Sequence, residues 1–528
     1  MGDAVIEAES VWQLVERRAE ATPNALFALD EQGRELSFES LRHEAERAAA
    51  GLFDLGVREG TPVSWMLPTR LSAFVLMTAL ARLGAVQNPL VPIYRRREVE
   101  FCLRQTGARW LLVPGVFRGF DFGALARQLA ASFPDLETLE IGEELPHGDV
   151  SALPPPPEAV PGASSPTRWI FYTSGTTADP KGARHTDHSI LISSRGMVEA
   201  IDLRPDHRTG VVFPVTHLGG ANALVSTLLA GSTQLVVEGF DPATAIPFLA
   251  KHGVTHAGAG RVFYQAYLEA QRKAGRKPIF PKLRALYGGG APTPHQLHLD
   301  VIREMGGLGI LSTWGMTECP IVSMTRWDDP LEKRVSTEGR PTHAATRIRV
   351  ARPDGSQAAP GETGELLVHA PQLLQGFVDA QLDAGCFDDD GFFRTGDLGR
   401  VDAEGYVVIT GRMKDVIIRK GENISAPEIE ELLIVHPKVA DVSVIGLPDP
   451  ERGERCCAVV RDADPTDPLS FEEMVAFLEA RQLMRQKIPE QLEHLSEFPQ
   501  TPSGKVVKAR LRERFAPGTP SPSEVEPG

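Results

Sequence analysis

Apolar and polar residues follow two different repeats along this chain. Residues 11–21 and 37–55 place apolar side chains three and four apart, the repeat of an amphipathic helix. In the second segment Ser37 can cap the start, Leu41, Ala45, Ala48, Leu52 and Leu55 form the stripe, and Gly56 stops it. The run 71-LSAFVLMTALA-81 is apolar almost throughout, is too short to span a bilayer, and reads as a buried helix. Short apolar runs read as strands: 62-PVSWML-67, 109-RWLLVP-114, 167-TRWIFYT-173, 211-VVFPV-215, 234-QLVV-237 and 283-LRALYGGG-290. Their alternation with helical segments predicts α/β layers with largely parallel sheets.

The pattern changes after about residue 411. Ser425 and Glu428 stand at capping-box spacing ahead of the stripe Ile429, Leu432 and Leu433, which Pro437 ends. Ser470 and Glu473 form a second box at the head of 470-SFEEMVAFLEARQ-482. Between the two helices lie strand-like 441-DVSVIGL-447 and 456-CCAVVRD-462. This predicts a small α+β domain of roughly a hundred residues, a usual domain size. The proline-rich stretch 151–166 is expected as a surface linker or loop, and the tail 516–528 as disordered. No fixed-period repeat is visible.

At 528 residues the chain is too long for one core, so two or more domains are expected. A net charge of −15 argues against a general nucleic-acid binder but leaves room for a local basic pocket. Cys102, Cys319, Cys386, Cys456 and Cys457 form no C-x-x-C pair, which disfavours a zinc site or disulfide scaffold and fits a reducing cytosol. The N-terminal residues are acidic and lack an apolar signal core, so a soluble cytoplasmic protein is expected, without stable membrane insertion.

The chemistry concentrates first in 172-YTSGTTADPKG-182. The strand ending at Thr173 leads into hydroxyls of Ser174, Thr176 and Thr177, a permissive Gly175, and then Lys181 and Gly182. Hydroxyls, backbone amides freed by glycine and one cation suit a phosphate. The spacing is not that of a P-loop, because Pro180 precedes the lysine and Gly182 follows it.

Five further motifs follow in order: 287-YGGGAP-292, 313-TWGMTE-318, 393-FRTGDLGRVDAEGY-406, 411-GRMKDVIIRKGENISAPEIEE-431 and 500-QTPSGKVVK-508. With the first, this series resembles the adenylate-forming superfamily of acyl-CoA synthetases, luciferases and peptide-synthetase adenylation domains, and it spans most of the chain. The resemblance implies a large multi-sheet N-terminal domain over 1–411, a hinge at 412–414 that includes Lys414, and a small mobile α+β lid over 415–515. It also implies a reaction. A carboxylate joins the α-phosphate of ATP with release of pyrophosphate, and a thiol then displaces AMP. The attacking carboxylate is already ionised at neutral pH, so cations and positioning groups are needed rather than a general base.

By the same resemblance Lys505 contacts the acyl carboxylate and α-phosphate, while Glu318 serves the Mg²⁺-ATP complex and Thr317 helps hold phosphate. A single carboxylate with substrate phosphates is a common way to hold Mg²⁺. The ATP/AMP site takes Thr173, Ser174, Gly175, Thr176, Thr177, Lys181, Gly289, Gly290, Ala291, Pro292, Thr313, Trp314, Gly315 and Met316. Asp397 and Arg412 hold the ribose hydroxyls. Trp314 stands where many relatives have tyrosine, and a flat aromatic there can pack against adenine or the acyl group. His217 lines the acyl pocket, whose small walls include Gly219, Gly220, Gly258 and Gly288.

The two half-reactions need different surroundings for one acyl group. Lys505 approaches for the first, and after rotation 419-RKGEN-423 faces the thiol tunnel, with Arg419, Lys420, Gly421 and Glu422 along it. The segment 217-HLGGANALVS-226 has no acidic residue to bind an amino group, which disfavours an amino-acid substrate. Small apolar walls leave room for an aliphatic or alicyclic acid. The sequence is most similar to medium-chain and alicyclic acyl-CoA ligases, so CoA is the expected thiol and a monomer or homodimer the expected assembly. Transfer to a carrier protein, or a reaction that stops at acyl-AMP, is the rival reading, and nucleotide binding without ligase activity the third.

Overall fold

The computed structural model describes residues 5–173, 180–290, 293–419, 422–449, 453–501 and 505–516. The tail expected to be disordered lies outside them from residue 517 onward. The helices begin where side chains can satisfy their open N–H groups. Ser37 Oγ accepts from Ser40 N–H at 3.0 Å at the start of Phe38–Asp54. Leu71–Leu83 is buried nearly all round, as its composition requires, and Gly84 ends it at φ +63°.

A nine-stranded sheet is parallel through its centre, in the order Ile310–Trp314, Ala285–Gly289, His256–Ala257, Arg208–Val211, Thr233–Val236 and Leu26–Asp30. Antiparallel strands extend both ends. In a six-stranded sheet Thr167–Thr173, Val86–Pro89, Pro62–Trp65, Trp110–Val113 and Glu137–Glu140 are parallel neighbours, and Lys181–Thr186 returns antiparallel on the edge. One apolar core joins the two sheets through Leu71–Leu83 and Leu218–Ala230, with Trp65 and Trp169 fully buried in it. The layers predicted from the sequence are therefore present.

Residues 211–215 are not a strand. The strand is Arg208–Val211, and the chain then turns, because Pro214 has no N–H to give to a ladder and Thr69 Oγ1 donates to Phe213 O. That turn launches Leu218–Ala230. The proline-rich stretch lies against the body rather than hanging free. Arg82 Nη2 donates to Pro154 O at 2.7 Å, and a Cβ on Gly84 would stand 2.6 Å from the Pro157 ring.

A third, four-stranded antiparallel sheet was not evident in the apolar pattern: Arg347–Ala351, Gly364–His369, Phe393–Val401 and Val407–Arg412. Beyond it lies the smaller α+β unit. Its sheet runs Glu422–Ser425, Val416–Arg419, Gly453–Asp462 and Val439–Asp449, with Gln491–His494 along Gly453–Asp462. Val442 and Val444 face the helices Ala426–Leu433 and Phe471–Ala480, whereas Ile445 and Leu447 face Phe498 and Leu511. The Ser470–Glu473 box forms, with Ser470 Oγ accepting from Glu473 N–H at 3.2 Å. The Ser425–Glu428 box does not. Ser425 Oγ donates instead to Thr410 O at 2.8 Å, and Glu428 pairs with Lys487.

All five cysteines are free thiols; four are buried and Cys386 is partly accessible. Among the described residues no helix is long and apolar enough to cross a membrane.

Candidate active site

The ends of several strands meet at one cleft. Thr173 closes its strand and faces Lys181 across the antiparallel pair, so the two ends of the first motif's hydroxyl-rich stretch stand side by side. Ser174, Gly175, Thr176 and Thr177 lie outside the described residues, as do Ala291 and Pro292. Thr313 and Trp314 end the strand Ile310–Trp314, where Thr313 Oγ1 donates to Ser323 O at 3.0 Å. Gly315 then turns against Ile321, whose nitrogen would be 2.5 Å from an added Cβ. Met316 and Cys319 exchange backbone hydrogen bonds at 3.0 and 3.1 Å, which fixes a tight turn bearing Thr317 and Glu318.

Sequence reasoning missed the residue that pins this turn. His185 Nε2 donates to Thr317 O at 2.7 Å, while Nδ1 lies 3.1 Å from Ser189 Oγ. Burial pushes its pKa down to about 4, so the ring is neutral with its proton on Nε2. No local signal marks His185, because its partner lies 132 positions away. Leu374 N–H holds Glu318 O at 2.8 Å. Burial raises the pKa of the Glu318 carboxyl, and Lys181 and Arg412 act the other way.

Asp397 and Arg412 face each other on neighbouring strands. Arg412 Nε lies 2.6 Å from Asp397 Oδ1, and Trp314 Nε1 donates to Oδ2 at 2.9 Å. Trp314, read from the sequence as a flat packing surface, is thus also a donor that orients this carboxylate. Lys505 comes to the same place from the smaller unit. Its N–H donates to Thr501 Oγ1 at 3.1 Å, and its carbonyl accepts from Thr501 N–H at 2.7 Å, so its backbone is anchored. Burial, then the nearby charges of Arg412 and Lys414, push its pKa down to about 8 against the pull of Asp397 and Asp415. The Arg412–Asp397 pair therefore neighbours both Glu318 and Lys505.

His217 sits at the N-terminus of Leu218–Ala230, with its Nε2 buried and without a hydrogen-bond partner among the described residues, and its pKa is pushed down to about 4 by burial. It lines a cavity with Thr317, Val91, Tyr94, Phe171 and Tyr172. The glycines expected as pocket walls also serve close packing. An added Cβ would stand 2.0 Å from Val215 O at Gly220, 3.2 Å from the Phe213 ring at Gly219, and 3.4 Å from Tyr287 O at Gly258. Gly288 lies at φ +141°, where an added Cβ would stand 2.9 Å from the Tyr264 hydroxyl and 3.0 Å from the Ala259 backbone, and a Cβ on Gly289 would overlap Thr313 O. Gly290 follows at φ +91° with open space beside it.

Lys414 occupies the turn Met413–Asp415 between the antiparallel sheet and the smaller unit. Arg419 stands opposite Glu422 in the pairing of their two strands and forms an ion pair with Glu490. Lys420 and Gly421 lie outside the described residues. Among the described residues no group of three or more His, Cys, Asp or Glu could hold a metal ion. A cation here would rely on Glu318 and on ligands brought by a substrate, which suits Mg²⁺ with phosphate oxygens.

A layered α/β body, a smaller α+β unit carrying a half-buried lysine, and a cleft of paired charges between them define an adenylate-forming enzyme. Residues 15–378 match the family described as AMP-binding enzyme and residues 428–505 its C-terminal domain, so this chain belongs to the AMP-binding enzyme family. It is similar to the 2,3-dihydroxybenzoate-AMP ligase of Bacillus subtilis, with 32% identity over 489 residues covering 91% of this chain and 89% of the relative. It is also similar to the medium-chain fatty-acid–CoA ligase of Escherichia coli, with 29% identity over 522 residues covering 97% and 90%. Among solved structures it resembles ATP-bound MatB from Rhodopseudomonas palustris at a TM-score of 0.84, with 26% identity and 96% and 99% of the two chains covered.

Proposed function

We propose that this chain activates an aliphatic or alicyclic carboxylic acid with ATP to an acyl-AMP and then forms the CoA thioester. The observation that carries this reading is the convergence of Lys505, the Arg412–Asp397 pair and the Thr317–Glu318 turn on one cleft. In the first step a carboxylate oxygen attacks the α-phosphorus in line, and pyrophosphate leaves. Lys505 and Lys181 offset the charge that accumulates as the two anions meet. Asp397 accepts from the ribose hydroxyls, oriented by Trp314 and Arg412. Thr317 contacts phosphate, and Glu318 would hold the Mg²⁺ that neutralises the pyrophosphate. His217 is neutral, so it lines the acid's pocket as a hydrogen-bonding wall rather than as a cation.

In the second step the smaller unit rotates about Lys414, Lys505 withdraws, and Arg419 and its hairpin border the path by which the thiol enters. Acid-dependent exchange of labelled pyrophosphate into ATP tests the first step, and thioester formation with CoA tests the second. Absence of exchange with a broad panel of acids refutes the reading.

A second reading has its own support. The cavity beside His217 is lined by Tyr94, Phe171 and Tyr172, and one relative is an aryl-AMP ligase. Aromatic walls accommodate a planar ring. Faster exchange with benzoates than with cyclohexanecarboxylate and octanoate favours an aryl acid. Acyl hydroxamate trapping without thioester formation on CoA favours a carrier-protein acceptor.

A further inference from the structure

Lys505 is carried by the smaller unit, so its arrival at the cleft depends on how that unit is held. Among the described residues two ion pairs join it to the larger body at positions other than the turn at Lys414. His295 Nδ1 lies 3.1 Å from Glu431 with side chains 52% and 46% exposed, which makes it a weak contact. Arg261 pairs with Asp441, and there the side chains are only 20% and 11% exposed. Asp441 Oδ1 also accepts from Val442 N–H at 2.9 Å.

Each end of this pair is tied to the chemistry. Arg261 opens the helix Arg261–Ala274 directly after Gly260, whose carbonyl accepts from Phe263 and Tyr264 N–H. A Cβ on Gly260 would stand 3.6 Å from Gly289 O, so the helix start abuts the glycine-rich strand end. At the other end, positions 441, 443, 445 and 447 share one face of the strand Val439–Asp449. Ile445 and Leu447 pack with Leu495, Phe498 and Leu511, and Val506, next to Lys505, packs on that cluster. One strand and one packed side chain therefore connect Asp441 to Lys505.

We propose that Arg261 and Asp441 are positioning residues for acyl-AMP formation, their ion pair holding the smaller unit in the orientation that delivers Lys505 to the cleft. This rests on the function proposed above. Removing one partner of a poorly hydrated pair strands the other charge. Rotation of the smaller unit returns that charge to water, so the penalty falls on one orientation rather than on folding.

The test uses the full chain with Arg261→Ala, Asp441→Asn, and the reversed pair Arg261→Asp with Asp441→Arg. Single-turnover acyl-AMP formation is compared with thioester formation from supplied acyl-AMP and CoA. Each single variant is expected to slow acyl-AMP formation about tenfold and leave the thioester rate within about twofold, and the reversed pair to recover at least about threefold. Unchanged acyl-AMP formation, equal loss in both half-reactions, or a reversed pair as slow as the product of the single losses overturns the assignment. A wild-type chain that shows no pyrophosphate exchange overturns the underlying reading of function instead, before any variant is compared.

Discussion

Replacing Lys505 by arginine should remove an alkaline limit on acyl-AMP formation. A lysine pushed down to about 8 is roughly nine-tenths charged at pH 7, half charged at pH 8 and about one-tenth charged at pH 9. Burial is the main cause, and Arg412 and Lys414 add to it. In the role proposed for Lys505 the protonated form is the working form, so activity should fall as pH rises through that value. Bound ATP brings negative charge and raises the pKa again. The limit therefore appears in kcat/KM for ATP, which reports the free enzyme, and moves to higher pH in kcat. The wild-type kcat/KM is expected to drop about tenfold per unit above pH 8. Arginine stays charged throughout, so Lys505→Arg should be flat from pH 8 to 9.5 at a lower rate, since its fork does not copy a point charge. The assay is initial-rate pyrophosphate release at several ATP concentrations across the pH range, with unfolding followed in parallel. A wild-type profile flat to pH 10, or the same fall in Lys505→Arg, would refute the reasoning.

Trp314→Phe keeps the ring but loses the donor to Asp397, and should raise KM for ATP about fivefold, near 1 kcal/mol, with little change in KM for the acid; an equal change in both would count against the assigned contact. Gly220→Ala places a Cβ on Val215 O and should destabilise by about 1–3 kcal/mol, read as a lowered Tm. A Tm equal to wild type would show that the helix start can shift. Lys414→Pro fixes one φ in the turn Met413–Asp415 and should slow thioester formation from supplied acyl-AMP more than acyl-AMP formation; stopped-flow rates equal in both steps would dismiss the turn as a pivot.

Much of the layout of the cleft was legible because its residues sit in short motifs at strand ends, where local sequence decides which side chains stand together. Asp397 and Arg412 were readable as partners through their motifs, and the register of two strands places them face to face. What sequence did not reveal depends on distant partners. His185 is one polar residue in a strand until the turn at Thr317 comes to it from far along the chain. Ser425 has the spacing of a cap, yet Thr410 offers its hydroxyl a better acceptor. The segment 211–215 has the apolar content of a strand, and one proline is enough to end it. The antiparallel sheet at 347–412 has short strands with mixed exposure, which leaves no clear alternation to read.

The distribution of thiols has a practical consequence. Cys102, Cys319, Cys456 and Cys457 are shielded, and burial raises the pKa of each, so alkylating reagents meet them as slow, neutral thiols. Cys386 alone among the five is partly open; burial raises its pKa too, so access rather than acidity sets it apart, and its electrostatic neighbours are Lys181, Asp383 and Glu318. A fluorophore attached there would report from the rim of the cleft without any engineered cysteine, turning an ordinary side chain into a built-in gauge of nucleotide entry and departure.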